Sequence, residues 1–245
     1  MRSVERNLGN INNSSYNKTI NYLMIVSRIT FNNEKRLRTM KHEYRKHEKN
    51  LYAPKAKPEL VVVPKQKFFC IKGKGNPNSE DFSERIGVLY SLAYAIRMMP
   101  KNGFTPEGYF EYTVYPLEGI WDLTEKGRQK FDKDELLYTI MIRQPEFVNQ
   151  EVVEKAFEIV NKKKTHALLK EVYFDEIEDG LAVQMMHIGS YDDEPESFKQ
   201  MKDFIHENGL EIKTLAHREI YLSDARRVDT DKLKTILRYK VRRSN

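Results

Sequence analysis

From residue 60 onward, the apolar and polar positions fall into alternating strand-like and helix-like stretches. Leu60–Ile71 is rich in Val and Phe with a broken alternation and reads as a strand. Phe82, Ile86, Leu89, Ala93 and Ile96 form one stripe at helical spacing, which predicts a helix over Glu80–Met99 that Asn102-Gly103 stops. Glu80 and Asp81 suit the positive N-terminus of that helix. Tyr109–Tyr115, ended by Pro116, reads as an aromatic strand, and a loop through Trp121 and Gly127 leads to a strand at Glu135–Arg143. Beyond Pro145 an amphipathic helix is expected over Glu146–Lys164, with Val152, Val153, Ala156, Phe157 and Val160 inward. Strands at Leu169–Ile177 and Leu181–Ile188 flank Asp179-Gly180, a hairpin signal. A helix over Glu196–Glu207, stopped by Asn208-Gly209, and strands at Thr214–Leu222 and Leu233–Val241 follow.

Two passages in this pattern are alike. Gly73–Phe82 lies over Gly189–Phe198 without a gap; each follows a strand, carries one Pro and opens a helix on a Phe. Each helix stops at Asn-Gly and is followed by a Glu-and-Tyr strand, Glu111-Tyr112 in one case and Glu219-Ile220-Tyr221 in the other. The pattern therefore predicts an α+β fold of two β-α-β-β units, with halves at about 60–145 and 170–243, sharing an antiparallel sheet. With helices on one side, the other face of such a sheet is free, and a concave free face is a natural ligand surface.

Composition changes this picture in one respect. The chain of 245 residues carries a formal charge of +6, which by itself suggests a nucleic-acid partner. Residues 1–39, however, hold seven basic side chains against two acidic ones, and 40–57 hold six against two, which leaves 58–245 at −3. The excess sits in an Asn-rich head, expected to be disordered, and in a charged lead-in at 40–59; the working protein is expected to begin near Met40. No nucleic-acid footprint is left for the folded part. The head lacks the long apolar core of a secretory signal. Mean hydropathy of −0.69 and the absence of long apolar runs argue against membrane spans, and a cytoplasmic location is expected. A single cysteine, Cys70, excludes an internal disulfide framework and any cysteine-based metal site.

The motifs are mostly negative. Gly73-x-Gly75 sits between strand and helix, as a phosphate loop would, but it matches no dinucleotide or Walker pattern, and Glu80 and Asp81 would repel phosphate. The six histidines show no ligand spacing, no G-x-S-x-G is present, and Cys70, between Phe69 and Ile71, reads as a buried thiol. Neither metal nor cofactor is expected. What is concentrated is aromatic and carboxylate chemistry near strand ends: Tyr109–Tyr115, then Trp121, and Glu219 and Tyr221 on one strand face with His217. Tyr90, Tyr94 and Arg97 form a further line on the first helix. Aromatic faces hold flat or cationic ligands by stacking and cation–π attraction. A desolvated carboxylate supplies counter-charge and could serve as a base towards water.

At these residues the chain resembles the GyrI-like small-molecule-binding family, across about Met40–Arg243. The stretches that carry the resemblance are Phe68–Pro77, Pro116-Leu-Glu-Gly-Ile-Trp121 and His217–Arg227. It implies an SHS2-like pseudo-twofold of β-α-β-β units around a central ligand cleft. It also implies a cleft carboxylate at Glu219 and an aromatic cage of Trp121, Tyr112 and Tyr221, with Tyr94, Glu111 and Glu118 as further candidates. Stand-alone members resemble binders of planar, often cationic, hydrophobic compounds. One subfamily is similar to hydrolases of cyclopropanoid DNA-alkylating compounds, a role in which Glu219 and Tyr221 would be catalytic. A third implied possibility is an interaction module that inhibits a partner such as a gyrase.

Overall fold

The computed structural model describes residues 41–244; the expectations for the head and for a start at Met40 lie outside the described residues. Two short helices, α1 (Tyr44–His47) and α2 (Lys49–Tyr52), open the described part. The expected strand at Leu60–Ile71 is two strands, β1 (Glu59–Val63) and β2 (Gln66–Lys74), because Pro64 cannot donate to a ladder. Then come α3 (Glu80–Met98), β3 (Leu117–Leu123), α4 (Glu125–Gln129), β4 (Leu136–Gln144) and α5 (Gln150–Lys163). The chain continues with β5 (Tyr173–Ile177), β6 (Gly180–Ile188), α6 (Glu194–Glu207), β7 (Leu210–Ile212), β8 (His217–Tyr221) and β9 (Lys234–Arg243).

The strands form one antiparallel sheet in the order β1-β6-β9-β8-β3-β4-β2-β5, with β7 added on β9. Its two halves mirror each other. β2-α3-β3-β4 contributes β3-β4-β2, and β6-α6-β8-β9 contributes β6-β9-β8, so the duplicated β-α-β-β unit is realised and the halves meet where β3 pairs β8. Gly75 (φ +111°) follows β2 as Gly189 (φ +134°) follows β6, and each lies five residues before the next helix. The two units thus superpose two residues away from the gapless match of Gly73 on Gly189.

The connections show how the sheet curls. Val63 is followed three residues later by Gln66, yet β1 stands at one edge of the order and β2 next to the other. Three residues span at most about 11 Å. The same applies from Ile177 of β5 to Gly180 of β6. Both short links can be made only if the sheet rolls its edges together into a half-barrel. Asp179-Gly180 is therefore not a hairpin: β5 pairs β2, and β6 pairs β1 and β9. Asp179 turns inward instead, onto Arg218 and Lys240.

The aromatic stretch Tyr109–Tyr115 is not a strand. It makes an isolated bridge, Tyr112 with His42, and its rings pack on other parts of the chain: Tyr109, Phe110 and Tyr112 against Phe147, and Tyr115 against Tyr44. The strand lies instead at Leu117–Leu123, in the segment expected as a loop. α5 begins at Gln150 rather than Glu146 because Asn149 caps it, its side chain accepting from Val152 N.

Helices α3 and α6 pack on the outer face of the rolled sheet. Phe69, Ile71, Ile140 and Ile142 meet Leu89, Leu92 and Ile96 of α3, while Met185 and Leu237 meet Met201 and Ile205 of α6. The concave face is not free. It buries Phe68, Cys70 and Met141 with an ionic network of Glu118, Arg218, Asp179 and Arg238. The lead-in closes its end: Leu51 O accepts from Arg238, Asn50 O accepts from Gln184, and Tyr52 OH reaches Glu118 at 3.4 Å.

Candidate functional site at the seam between the halves

β3 and β8 pair with Gly119 opposite Glu219 and Trp121 opposite His217. Strand alternation therefore places Trp121, His217, Glu219 and Tyr221 on one face, the outer face that carries α3 and α6. Their side chains join into one chain of hydrogen bonds. Trp121 Nε1 donates to Tyr221 OH (2.7 Å), Tyr221 OH donates to Glu219 Oε2 (2.7 Å), and His217 Nε2 meets Glu219 Oε1 at 2.8 Å. Burial and the adjacent Glu219 charge push the Tyr221 phenol well above its ordinary value, so it stays a neutral donor.

Gly119 makes the indole position possible. A Cβ there would stand 2.5 Å from Trp121 Nε1, and no larger residue leaves the ring room to lie back over β3. Tyr138, opposite both Gly73 and Trp121, lies over Gly73 in the same way. Phe82, in the first turn of α3, closes this side, with ring centroids 5.7 Å from Trp121 and 5.0 Å from Tyr138. Ser79 fixes that turn by accepting from Phe82 N. On the other side Tyr191 stands edge-on to Tyr221 at 6.1 Å, and Phe198 of α6 stands edge-on to His217 at 4.6 Å.

The second half also brings an acid that the sequence reading did not single out. Glu194 opens α6 and is 7% exposed. Its Oε1 has no hydrogen-bond partner among the described residues. Burial, with the charges of Glu219 and Asp192 nearby, pushes its carboxyl up to about 9. Glu219 is itself 8% exposed, and its ion-pair partner among the described residues is His217, with no Lys or Arg. The site is thus an aromatic surface carrying two carboxyl groups and no Lys or Arg partner for either among the described residues, a charge balance that suits a cation.

The other expected ligand residues lie elsewhere. Glu118 points to the concave face, the alternation of β3 turning it away from Trp121, and pairs with Arg218 at 3.0 Å. Tyr112 is buried between Tyr109 and Phe147, and its carbonyl accepts from Arg97 Nε. Glu111 is exposed beside Arg97. Tyr94 is exposed one turn beyond Tyr90, which hydrogen-bonds the Leu117 backbone on the outer face. Cys70 lies on the concave face, where burial pushes its thiol up to about 12. Open hollows of about 530 and 620 Å³ flank α5 around Phe157, Asn161 and Val172, away from the carboxylates. Among the described residues no group of three or more His, Cys, Asp or Glu is arranged to hold a metal ion, and no helix is long and apolar enough to cross a membrane.

The fold has counterparts among solved structures. A hydrolase from Listeria innocua is 38% identical, with a TM-score of 0.77, covering 83% of this chain and 100% of that chain. An uncharacterized conserved protein from Listeria innocua is 39% identical, with a TM-score of 0.77, covering 82% and 100%. Curated proteins offer no match. The GyrI-like small molecule binding domain matches residues 56–241, from just before β1 into β9, the last strand, and the chain belongs to that family.

Proposed function

We propose that the chain binds a flat, hydrophobic, cationic small molecule on the outer face of the β3–β8 seam. Glu219 supplies the counter-charge and Trp121 and Tyr221 supply the aromatic surface, with Tyr94 on the rim. The observation that carries this reading is the pairing of Glu219. The buried acids of the concave face have an arginine partner: Glu118 and Asp179 both pair with Arg218. Glu219 is nearly as buried but is met by a tyrosine, a histidine and aromatic rings. A buried carboxylate is costly without a positive partner, and a cationic ligand is the partner this arrangement accommodates. Membership of a small-molecule-binding family agrees with it. Equilibrium dialysis with rhodamine 6G, a flat permanent cation, tests the reading. Saturable binding at one dye per chain is expected, weakened about 10- to 100-fold in Glu219→Gln, or about 1.4–2.7 kcal/mol. Absence of saturable binding, or equal affinity in the variant, would contradict it.

A second reading is favoured by the 38%-identical structure, a hydrolase from Listeria innocua. On this reading the site opens strained electrophiles such as cyclopropanoids. Water oxygen attacks a ring carbon, the ring C–C bond breaks, and its electron pair moves into the conjugated carbonyl. Glu219, held by Tyr221 and His217, takes the water proton, and the developing oxyanion is later protonated from solvent. Product analysis after incubation with a cyclopropanoid separates the two readings. Turnover lost in Glu219→Gln with binding retained would establish catalysis, and an unchanged substrate would leave binding alone.

A further inference from the structure

The binding reading leaves Glu194 unexplained. It is a carboxyl group nine-tenths buried, with Oε1 unpartnered among the described residues, set beside a second carboxylate. A stability role accounts poorly for it, since an unsatisfied buried acid weakens a fold. The groups around it are mostly acidic or neutral. β8 presents Glu219 and Tyr221; the turn before α6 presents Tyr191, Asp192 and Asp193. From β6 comes His187, held by Ser197 and the Ser190 carbonyl, and Lys133 reaches Asp192 at 3.9 Å rather than Glu194.

Resting on the reading of the seam as the ligand site, we infer that Glu194 is a second, proton-exchanging carboxylate of that site. It carries a proton when no cation is present and gives it up to solvent when a cation sits beside it. Two adjacent carboxylates in an apolar wall cannot both ionise unaided, because like charges at short range oppose each other. A cation lowers the cost of the second charge and holds the resulting anion. The bond broken is the carboxyl O–H, and its proton leaves to bulk water. Glu194 thereby sets specificity: cation uptake is coupled to proton release and strengthens as pH rises, while a neutral ligand of the same shape gains nothing from it. The carboxyl, held near 9 in the free protein, places the rise between about pH 7 and 9.

The test is isothermal titration of the full chain with rhodamine 6G at pH 8, in two buffers of different ionisation heat, with neutral Nile red as the comparison. For the wild type, roughly half to one proton released per rhodamine bound is expected, with affinity rising up to tenfold per pH unit from 7 to 9. Nile red is expected to release none. Glu194→Gln is expected to bind rhodamine with no proton release and a flat pH profile. Rhodamine binding with buffer-independent heat, or proton release that survives in Glu194→Gln, would overturn the inference while leaving the binding reading intact. No rhodamine binding at any pH would overturn both. The carboxyl can also be followed directly in the wild type by carbon-13 NMR. A Glu194 midpoint near 9 without dye is expected, and a midpoint near 4.5 would overturn the inference whatever the variant does.

Discussion

At the scale of single residues, the seam depends on one missing side chain. Trp121 reaches Tyr221 because Gly119 leaves open the space in which the indole lies. Gly119→Ala is therefore expected to force the indole outward and break its bond to Tyr221, leaving the Tyr221 hydroxyl with Glu219 alone. Trp121 is the chain's single tryptophan, so the change is directly visible. Its emission is expected to shift to the red and rhodamine affinity to fall about tenfold, at a stability cost of roughly 1–3 kcal/mol. Unchanged emission would show that the ring does not depend on the glycine. Of the residues proposed for the site, Glu219 and Tyr221 stand out in the sequence because they share one strand face with His217, whereas Trp121 reads as a loop residue and is singled out as the one tryptophan and by the family resemblance. Glu194 and Phe82 carry no such signal. Each lies on a helix whose opening turn looks like ordinary capping, and only the folding of that turn over the seam gives it a place in the site.

At the scale of elements, the turn that delivers Phe82 is set by a cap. Ser79 accepts from Phe82 N, satisfying one of the donors left open at the start of α3. Ser79→Ala is expected to cost about 1 kcal/mol in urea unfolding, and the loosened turn to weaken rhodamine binding two- to threefold. Binding unaffected by a clear loss of stability would take Phe82 out of the site. The long helices were legible from their stripes and stops, as were β4, β6 and β9, because their residues alternate or run apolar between clear breakers. Two strand assignments failed for identifiable reasons. Tyr109–Tyr115 has the composition of a strand, but its rings pack on Phe147 and Tyr44, and its backbone makes only the isolated Tyr112–His42 bridge among the described residues. Leu117–Leu123 looks weak because it contains Gly119 and follows Pro116, yet that glycine is what the indole needs. The likeness of the two halves was visible in the glycines that end β2 and β6, while their alignment was misplaced because Phe82 and Phe198 are not equivalent.

At the scale of the whole molecule, two half-sheets are joined through a charged interior. Arg218 of β8 reaches Glu118 on β3 and Asp179 in the β5–β6 turn, and lies over the Phe68 ring of β2 at 4.9 Å. Arg218→Met leaves two buried carboxylates without this partner and is expected to cost about 3–5 kcal/mol in urea unfolding. A loss under 1 kcal/mol would mean that Arg238 and Lys240 carry the network. No sequence pattern announces this interior, because it arises only when the short links at Pro64 and Asp179 roll the sheet and turn its concave face into a core. The proposed ligand residues, Trp121, Glu219 and Tyr221, lie on the outer face, where Trp121 serves as a built-in reporter. The most direct measurement is therefore a titration of Trp121 emission with rhodamine 6G in the wild type and in Glu219→Gln. Saturable quenching at one dye per chain is expected in the wild type, with at least a tenfold weaker midpoint in the variant. Quenching that never saturates, or that is identical in the two proteins, would contradict a cation site at Glu219.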